Sequence, residues 1–209
     1  MKYNNLEILR LNHAAFKIKN QKIIYIDPFQ IQPDEEADLV FITHEHFDHF
    51  SPEDLEKIVT EETFIVACHL CDLRKYKKVR LVKPNESFEV EGIKVETIPA
   101  YNINKFREPG KVFHPKEDGK VGYVLEIEGV KIYHAGDTDN IPEMANLKNI
   151  DVALLPVSGT YVMTPEEAVE AVKIIKPQLA IPMHYGAIVG SLEDAQKFKE
   201  LSPISTEII

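Results

Sequence analysis

Short β-type apolar runs over residues 6–11, 14–18 and 22–26, separated by polar turns, predict three short strands in a meander. The stretch 37–43 is almost unbroken apolar sequence, the texture of a strand buried on both faces. Ser51-Pro52-Glu53-Asp54 then opens a helix running to about residue 60, with Ser51 as N-cap and Pro52 in the first turn. A strand over 63–68, a turn or short helix near 70–76 and strands near 88–90 and 93–98 follow. Residues 101–120 carry Asn102, Asn104, Pro109, Gly110, Pro115 and Gly119 and predict a long loop, a kind of segment that is often functional in compact domains.

Strands resume over 121–128 and 131–134, joined by a hairpin turn at Glu128-Gly129. Buried strands follow over 150–156 and 178–182, with a helix capped by Thr164 and running to about residue 175, and another opening at Ser191. Each half of the chain passes from hairpins to β/α units. The pattern predicts an α/β fold of two similar half-domains packed sheet to sheet, within a single domain spanning 1–209.

Composition narrows the function. Lys and Arg total 24 against 34 Asp and Glu, a formal charge of −10, which opposes nucleic-acid binding. No apolar stretch is long enough to span a bilayer and the N-terminal residues lack a secretory signal, so the expected location is the cytoplasm and the expected partner a small-molecule substrate. Cys68 and Cys71 have redox-pair spacing, but no second pair completes a zinc knuckle and we read them as packed thiols.

The chemistry concentrates in His44-Glu45-His46-Phe47-Asp48-His49, directly after the apolar strand. Extended backbone aims alternate side chains to one side, so His44, His46 and Asp48 are expected to converge, with His49 turned to a neighbouring position. Imidazole and carboxylate donors suit zinc or iron, and four in one turn suffice for two adjacent ions. Asp137, in His134-Ala135-Gly136-Asp137-Thr138, and His184, closing Ile181-Pro182-Met183-His184, share the placement after a strand.

These motifs resemble those of the metallo-β-lactamase-fold hydrolases, and within them the branch of ascorbate-phosphate lactonase and the N-acylethanolamine-releasing phospholipase. Leu11-Asn12-His13-Ala14 is similar to an early Gly-His element of that branch, with Asn12 in place of Gly. The resemblance implies a four-layer αβ/βα sandwich of two mixed β-sheets with outer helices, and a binuclear hydrolase holding two divalent ions, zinc first, with iron or manganese as alternatives. It implies that His44 and His46 bind one ion, that Asp48, His49 and His184 bind the other, and that Asp137 bridges them. The family's remaining His aligns with Asn102. We assign that place to His114, in the same loop, with Asn102 or water as the alternative.

Two such ions activate a bridging hydroxide for cleavage of an ester, lactone or phosphodiester. Asp48 and Asp137 are the expected catalytic carboxylates, Asp48 orienting the nucleophile and accepting its proton. Lys105, Arg107 and Lys111 are basic residues close in sequence to a ligand; Lys105 and Arg107 are expected to receive an anionic substrate group, against a reading as a solvated loop paired with Glu108. His13 and Tyr185 are further substrate-side candidates, and Tyr161 another, each against a packing role. A di-iron redox protein and a non-catalytic metal- or ligand-binding domain remain the competing functions.

Overall fold

The computed structural model describes residues 1–33 and 35–209, which cluster into two compact units: residues 1–83 with Ile209, and residues 84–208. The first holds one seven-stranded mixed sheet whose strands lie in chain order: β1 (Lys2–Tyr3), β2 (Leu6–Asn12), β3 (Ala15–Lys19), β4 (Ile23–Ile26), β5 (Leu39–Ile42), β6 (Phe64–Cys68) and β7 (Val79–Val82). Strands β1 to β4 pair antiparallel, and β4 to β7 pair parallel. All four residues of β5 are buried, as its apolar run requires of an interior parallel strand. Helix α1 (Pro52–Ile58) starts where Ser51 Oγ accepts from the Asp54 amide at 3.2 Å, and buries Leu55 and Ile58. The buried Asp54 carboxylate also accepts from the Gln30 and Ile31 amides, at 2.7 and 3.1 Å, pinning the chain beyond β4.

The second unit repeats the scheme. Its strands are β8 (Ser87–Val90), β9 (Ile93–Pro99), β10 (Phe106–Glu108), β11 (Lys111–Val112), β12 (Val121–Ile127), β13 (Val130–His134), β14 (Val152–Pro156), β15 (Leu179–Met183) and β16 (Ser205–Thr206). The seven-stranded sheet runs β16-β15-β14-β13-β12-β9-β8, antiparallel from β8 to β13 and parallel from β13 to β16. The turn from β12 to β13 has positive φ at both Glu128 and Gly129, 50° and 80°, the geometry that matches strand twist in a tight hairpin. Helix α2 (Pro165–Ile175) opens with a reciprocal capping box between Thr164 and Glu167 and buries Ala168, Ala171 and Val172 beside β14. Helix α3 (Leu192–Leu201) packs on α2.

Each unit thus carries a mixed sheet with few helices, as expected for the fold class. Two local expectations change, and for residues 70–76 the turn alternative is the one that forms. Residues 101–120 are not an unstructured loop: β10 and β11 form a ribbon turning at Pro109-Gly110, and 116–118 make a single helical turn. The edge strands β1, β7 and β16 were not expected, because their short, charged or half-exposed sequences carry no alternation to reveal them. Among the described residues, no helix is long and apolar enough to cross a membrane.

Candidate metal centre

Each candidate metal ligand lies beyond a strand end. In the first unit the chain leaves β5 through Thr43 and His44 and then turns, the amides of His49 and Phe50 both bonding the His46 carbonyl, at 2.9 and 2.8 Å. This turn, rather than the alternation of an extended strand, gathers the candidate ligands. The His44 and His46 rings meet at 4.6 Å between centroids, and His44 and His49 at 4.1 Å. Phe47, between them in sequence, points outward and is 67% exposed. Asp48 Oδ2 lies 3.3 Å from His13 Nε2 and 3.7 Å from His49 Nε2, and donor atoms of His13, Asp48 and His49 all fall within 4.8 Å of one another. His46 is the least enclosed, with a side chain 40% exposed beside Glu45.

Sequence reasoning missed the group that organises this cluster. Asp27, fully buried at the end of β4, accepts from His49 Nδ1 at 2.7 Å, from Thr43 Oγ1 at 2.6 Å and from the Thr43 amide at 2.8 Å. Because the Thr43 hydroxyl proton goes to Asp27, the 3.0 Å contact between Thr43 Oγ1 and His44 Nδ1 has His44 as donor. An Asp-Pro pair closing an apolar strand was the available signal.

In the second unit the ligand candidates converge on a single oxygen. Asp137 Oδ2 lies 3.4 Å from His114 Nε2 and 3.2 Å from His184 Nε2, and all three residues are buried. Asp137 follows β13 through Gly136, whose φ is 64°, and His184 follows β15 at φ 61°. Asn102 stands behind His114: its Oδ1 accepts from His114 Nδ1 and from the His114 amide, each at 2.9 Å. Its Nδ2 donates to Asp139 Oδ1 at 3.2 Å and to the Tyr161 carbonyl at 2.9 Å. Ser158, just beyond β14, contacts His184 Nδ1 through its hydroxyl at 3.0 Å, a pairing across neighbouring strands that no local motif announces.

Of the predicted substrate-side residues, His13 is buried against Asp48 and Tyr185 is 4% exposed. Tyr161 stacks edge-on against Phe113 at 4.7 Å. Lys105 is committed within its unit, its ammonium 2.6 Å from Glu167 and 3.4 Å from Asp139, with Asn104 as a further partner. Burial pushes the Glu167 carboxyl up, but its hydrogen bonds from Lys105, the Thr164 amide and Asn104 outweigh that and hold it below its ordinary value. Lys111 pairs with Glu108 at 2.9 Å, and Arg107 is exposed on β10. Cys68 and Cys71 are buried and form no disulfide.

Non-glycine residues with positive φ include His13 (37°), Asp27 (47°) and His184 (61°). Side chains seldom tolerate this region, and such strain concentrates at functional sites.

The chain resembles known proteins over most of its length. Residues 7–184 match the family described as the Beta-lactamase superfamily domain. A metal-dependent hydrolase of Thermococcus onnurineus is 37% identical, the match covering 95% of this chain and 93% of that one. A crystal structure of a Parabacteroides distasonis protein superposes with a TM-score of 0.84 at 31% identity, covering 97% of this chain and 92% of the other. A di-iron β-hydroxylase of Streptomyces venezuelae, 14% identical, shares the fold alone, with a TM-score of 0.68 over 88% of this chain and 46% of its own. The chain belongs to the β-lactamase superfamily, among its metal-dependent hydrolases.

Proposed function

We propose that this protein is a binuclear hydrolase cleaving an ester, lactone or phosphodiester bond in a small anionic substrate. Its metal ligands in this reading are His44, His46, Asp48 and His49 from the first unit and His114, Asp137 and His184 from the second. The supporting observation is a wiring common to four histidines. Nδ1 of His44, His49, His114 and His184 is engaged by an oxygen of Thr43, Asp27, Asn102 and Ser158 respectively, at 2.7 to 3.0 Å. In the first three the oxygen is the acceptor, so the proton sits on Nδ1 and the Nε2 lone pair is presented for coordination. Metal-binding histidines are oriented in this way.

The donor set of imidazole nitrogen and carboxylate oxygen fits zinc, which we place first, and also iron or manganese. When bound, a pair of such ions polarises the substrate oxygen and lowers the pKa of water toward neutrality. The protein's own groups do the remaining work. Asp48, 3.3 Å from His13, would orient the attacking water and take its proton, while Asp137 brings one carboxylate oxygen beside the Nε2 atoms of His114 and His184, three donors that would hold a cation together. With Lys105 and Lys111 paired to carboxylates, the substrate anion falls to Arg107. The buried thiols accord with a cytoplasmic location, where they stay reduced.

The test is elemental analysis of protein purified without added metal, repeated on His114→Ala. Two zinc ions per chain in the parent and about one in the variant, with turnover of a lactone, ester or phosphodiester by the parent, is the expected result. Iron with oxygen-dependent turnover would replace the hydrolase by a redox protein. Bound metal without turnover on any of the three substrate classes would leave a binding domain, and metal-free protein that takes up none on addition would end the reading.

A further inference from the structure

The two cysteines stand outside the ligand set just described, and the backbone of the first unit brings them to one place. Cys68 ends β6, and the Cys71 amide bonds the Cys68 carbonyl at 3.0 Å, closing a four-residue turn with His69 and Leu70 at its centre. A turn of this kind holds its first and fourth Cα atoms within ~7 Å, and a disulfide spans about 4.4–6.8 Å between Cα atoms. Both thiols are directed inward: Cys68 is fully buried and Cys71 is 4% exposed, while Leu70 between them is 40% exposed. The turn is held at its base, since Ala67 pairs with Ile42 of β5 and the His69 amide bonds the Val82 carbonyl of β7 at 2.9 Å. His69 Nδ1 lies 3.7 Å from Cys68 Sγ, a base beside one of the two thiols, and the His69 side chain is half-buried, so a proton it takes can pass to solvent.

We infer that Cys68 and Cys71 form a dithiol that hydrogen peroxide oxidises to an intramolecular disulfide, a redox site separate from the candidate metal ligands. The oxidant class follows from burial: a thiol 4% exposed admits a molecule of two oxygens and not a bulky disulfide. In the first step the sulfur of Cys71, the less enclosed of the two, attacks the peroxide. An S–O bond forms, the O–O bond breaks, and the thiol proton leaves with the departing oxygen as water, which makes Cys71 a sulfenic acid. In the second step His69 takes the Cys68 proton and the Cys68 sulfur attacks the Cys71 sulfur. The S–S bond forms, the S–O bond breaks, and the departing hydroxide collects a proton to become the second water. Two thiols thus give up two electrons and two protons, and one peroxide becomes two waters.

A reducing compartment keeps the pair as thiols, and a small dithiol reverses the oxidation by exchange. The oxidised ring ties the end of β6 to the segment that leads into β7, within a turn whose ends already lie at disulfide distance, so closure leaves the strands where they are. Thiols that were only packing would behave otherwise: enclosed as they are, they would react when the first unit unfolds and not before.

The experiment exposes the folded, full-length protein as purified to hydrogen peroxide and then measures the mass of residues 58–74, the tryptic fragment that carries both cysteines and no methionine. In the parent this fragment loses two hydrogens and gains no oxygen, both thiols vanish from a thiol count in denaturant, and dithiothreitol restores them. Cys68→Ala stops at the sulfenic acid, which dimedone traps on Cys71. His69→Leu slows the closing step about 10–100-fold, because a thiol without a proton acceptor attacks only through its small thiolate fraction. Thiols that survive peroxide in the folded parent and react only in urea, oxidation that runs to sulfinic or sulfonic acid, or a disulfide joining two chains would each overturn the inference. Closure at the parent's rate in His69→Leu would overturn the part given to His69. The parent's own spectrum decides the main point, so a variant that fails to fold leaves it decided.

Discussion

The two units solve one problem by different means. In both, antiparallel hairpins lead into four parallel strands, β4 to β7 in one and β13 to β16 in the other, and in both candidate ligands stand beyond the carboxyl ends of those strands. This is where open α/β sheets leave side chains clear of their own hydrogen-bond ladder. The first unit draws its four ligand candidates from one turn after β5 and braces two of them, His49 directly and His44 through Thr43, with Asp27 at the end of β4. In the second unit the strand corresponding to β4, β13, supplies a ligand candidate itself, Asp137. Its histidines arrive from two distant segments, braced by Asn102 and Ser158. A contiguous cluster is organised by one charged residue, a dispersed one by several neutral groups. The former concentrates its dependence in Asp27; the latter spreads it.

The largest effect that could break this contrast comes from the ligands. Asp137→Ala removes the oxygen on which His114 and His184 converge and is expected to abolish turnover and to cost more metal affinity than the ~100-fold typical of an orienting residue. His46→Ala, which removes a side chain 40% exposed, should cost clearly less. Equal losses in zinc titration would show that the convergence on one oxygen has no special weight.

Next in size come the braces. Asp27→Asn leaves His49 and Thr43 short of an acceptor and should weaken zinc binding by about 10–100-fold, whereas Ser158→Ala removes one neutral hydroxyl and about 1 kcal/mol or less. Matching affinities for the two variants would erase the distinction between charged and neutral bracing.

A stability measurement sharpens the picture for the second unit. A Cβ on Gly122, in β12, would lie 2.7 Å from the backbone carbonyls of both His134 and Ala135, at the start of the segment that delivers Asp137. Gly122→Ala should therefore cost about 1–3 kcal/mol in urea unfolding, and more in metal affinity than a destabilisation of the same size elsewhere. Parent-like stability would mean that β13 yields easily.

The smallest expected effect is on pH dependence. The folded Glu167 carboxyl lies below its ordinary value of 4.5, so its bond to Lys105 contributes stability above that pH and loses it as pH falls through the folded value. Glu167→Gln should lower the urea midpoint near neutrality, and the gap to the parent should close in acid. A gap independent of pH would remove the carboxylate's charge from the account.

The sequence exposed what is local and concealed what is not. The His44 to His49 run, the caps at Ser51 and Thr164 and the turn at Glu128-Gly129 each lie within a few residues and could be read directly. Asp27 carried a signal in its Asp-Pro position, though its bond to His49 spans 22 residues. Ser158 and Asp139 carried none, since a hydroxyl or carboxylate beyond a strand becomes a brace only once neighbouring strands are registered. The ribbon around Pro109-Gly110 was legible as a turn, but its flanking strands have three and two residues, too few for alternation to show.

The stapling of residues 101–114 has a consequence for time as well as geometry. The Ile103 and Asn104 amides end on Asp139, the Asn102 amide on the His114 carbonyl and the Phe113 amide on Lys105. Although Ile103 and Asn104 lie at the surface, their amide hydrogens should exchange with solvent slowly and together, in the manner of a sheet interior. A segment with that exchange behaviour is a fixed wall beside its ligand, and turnover would not wait on its opening.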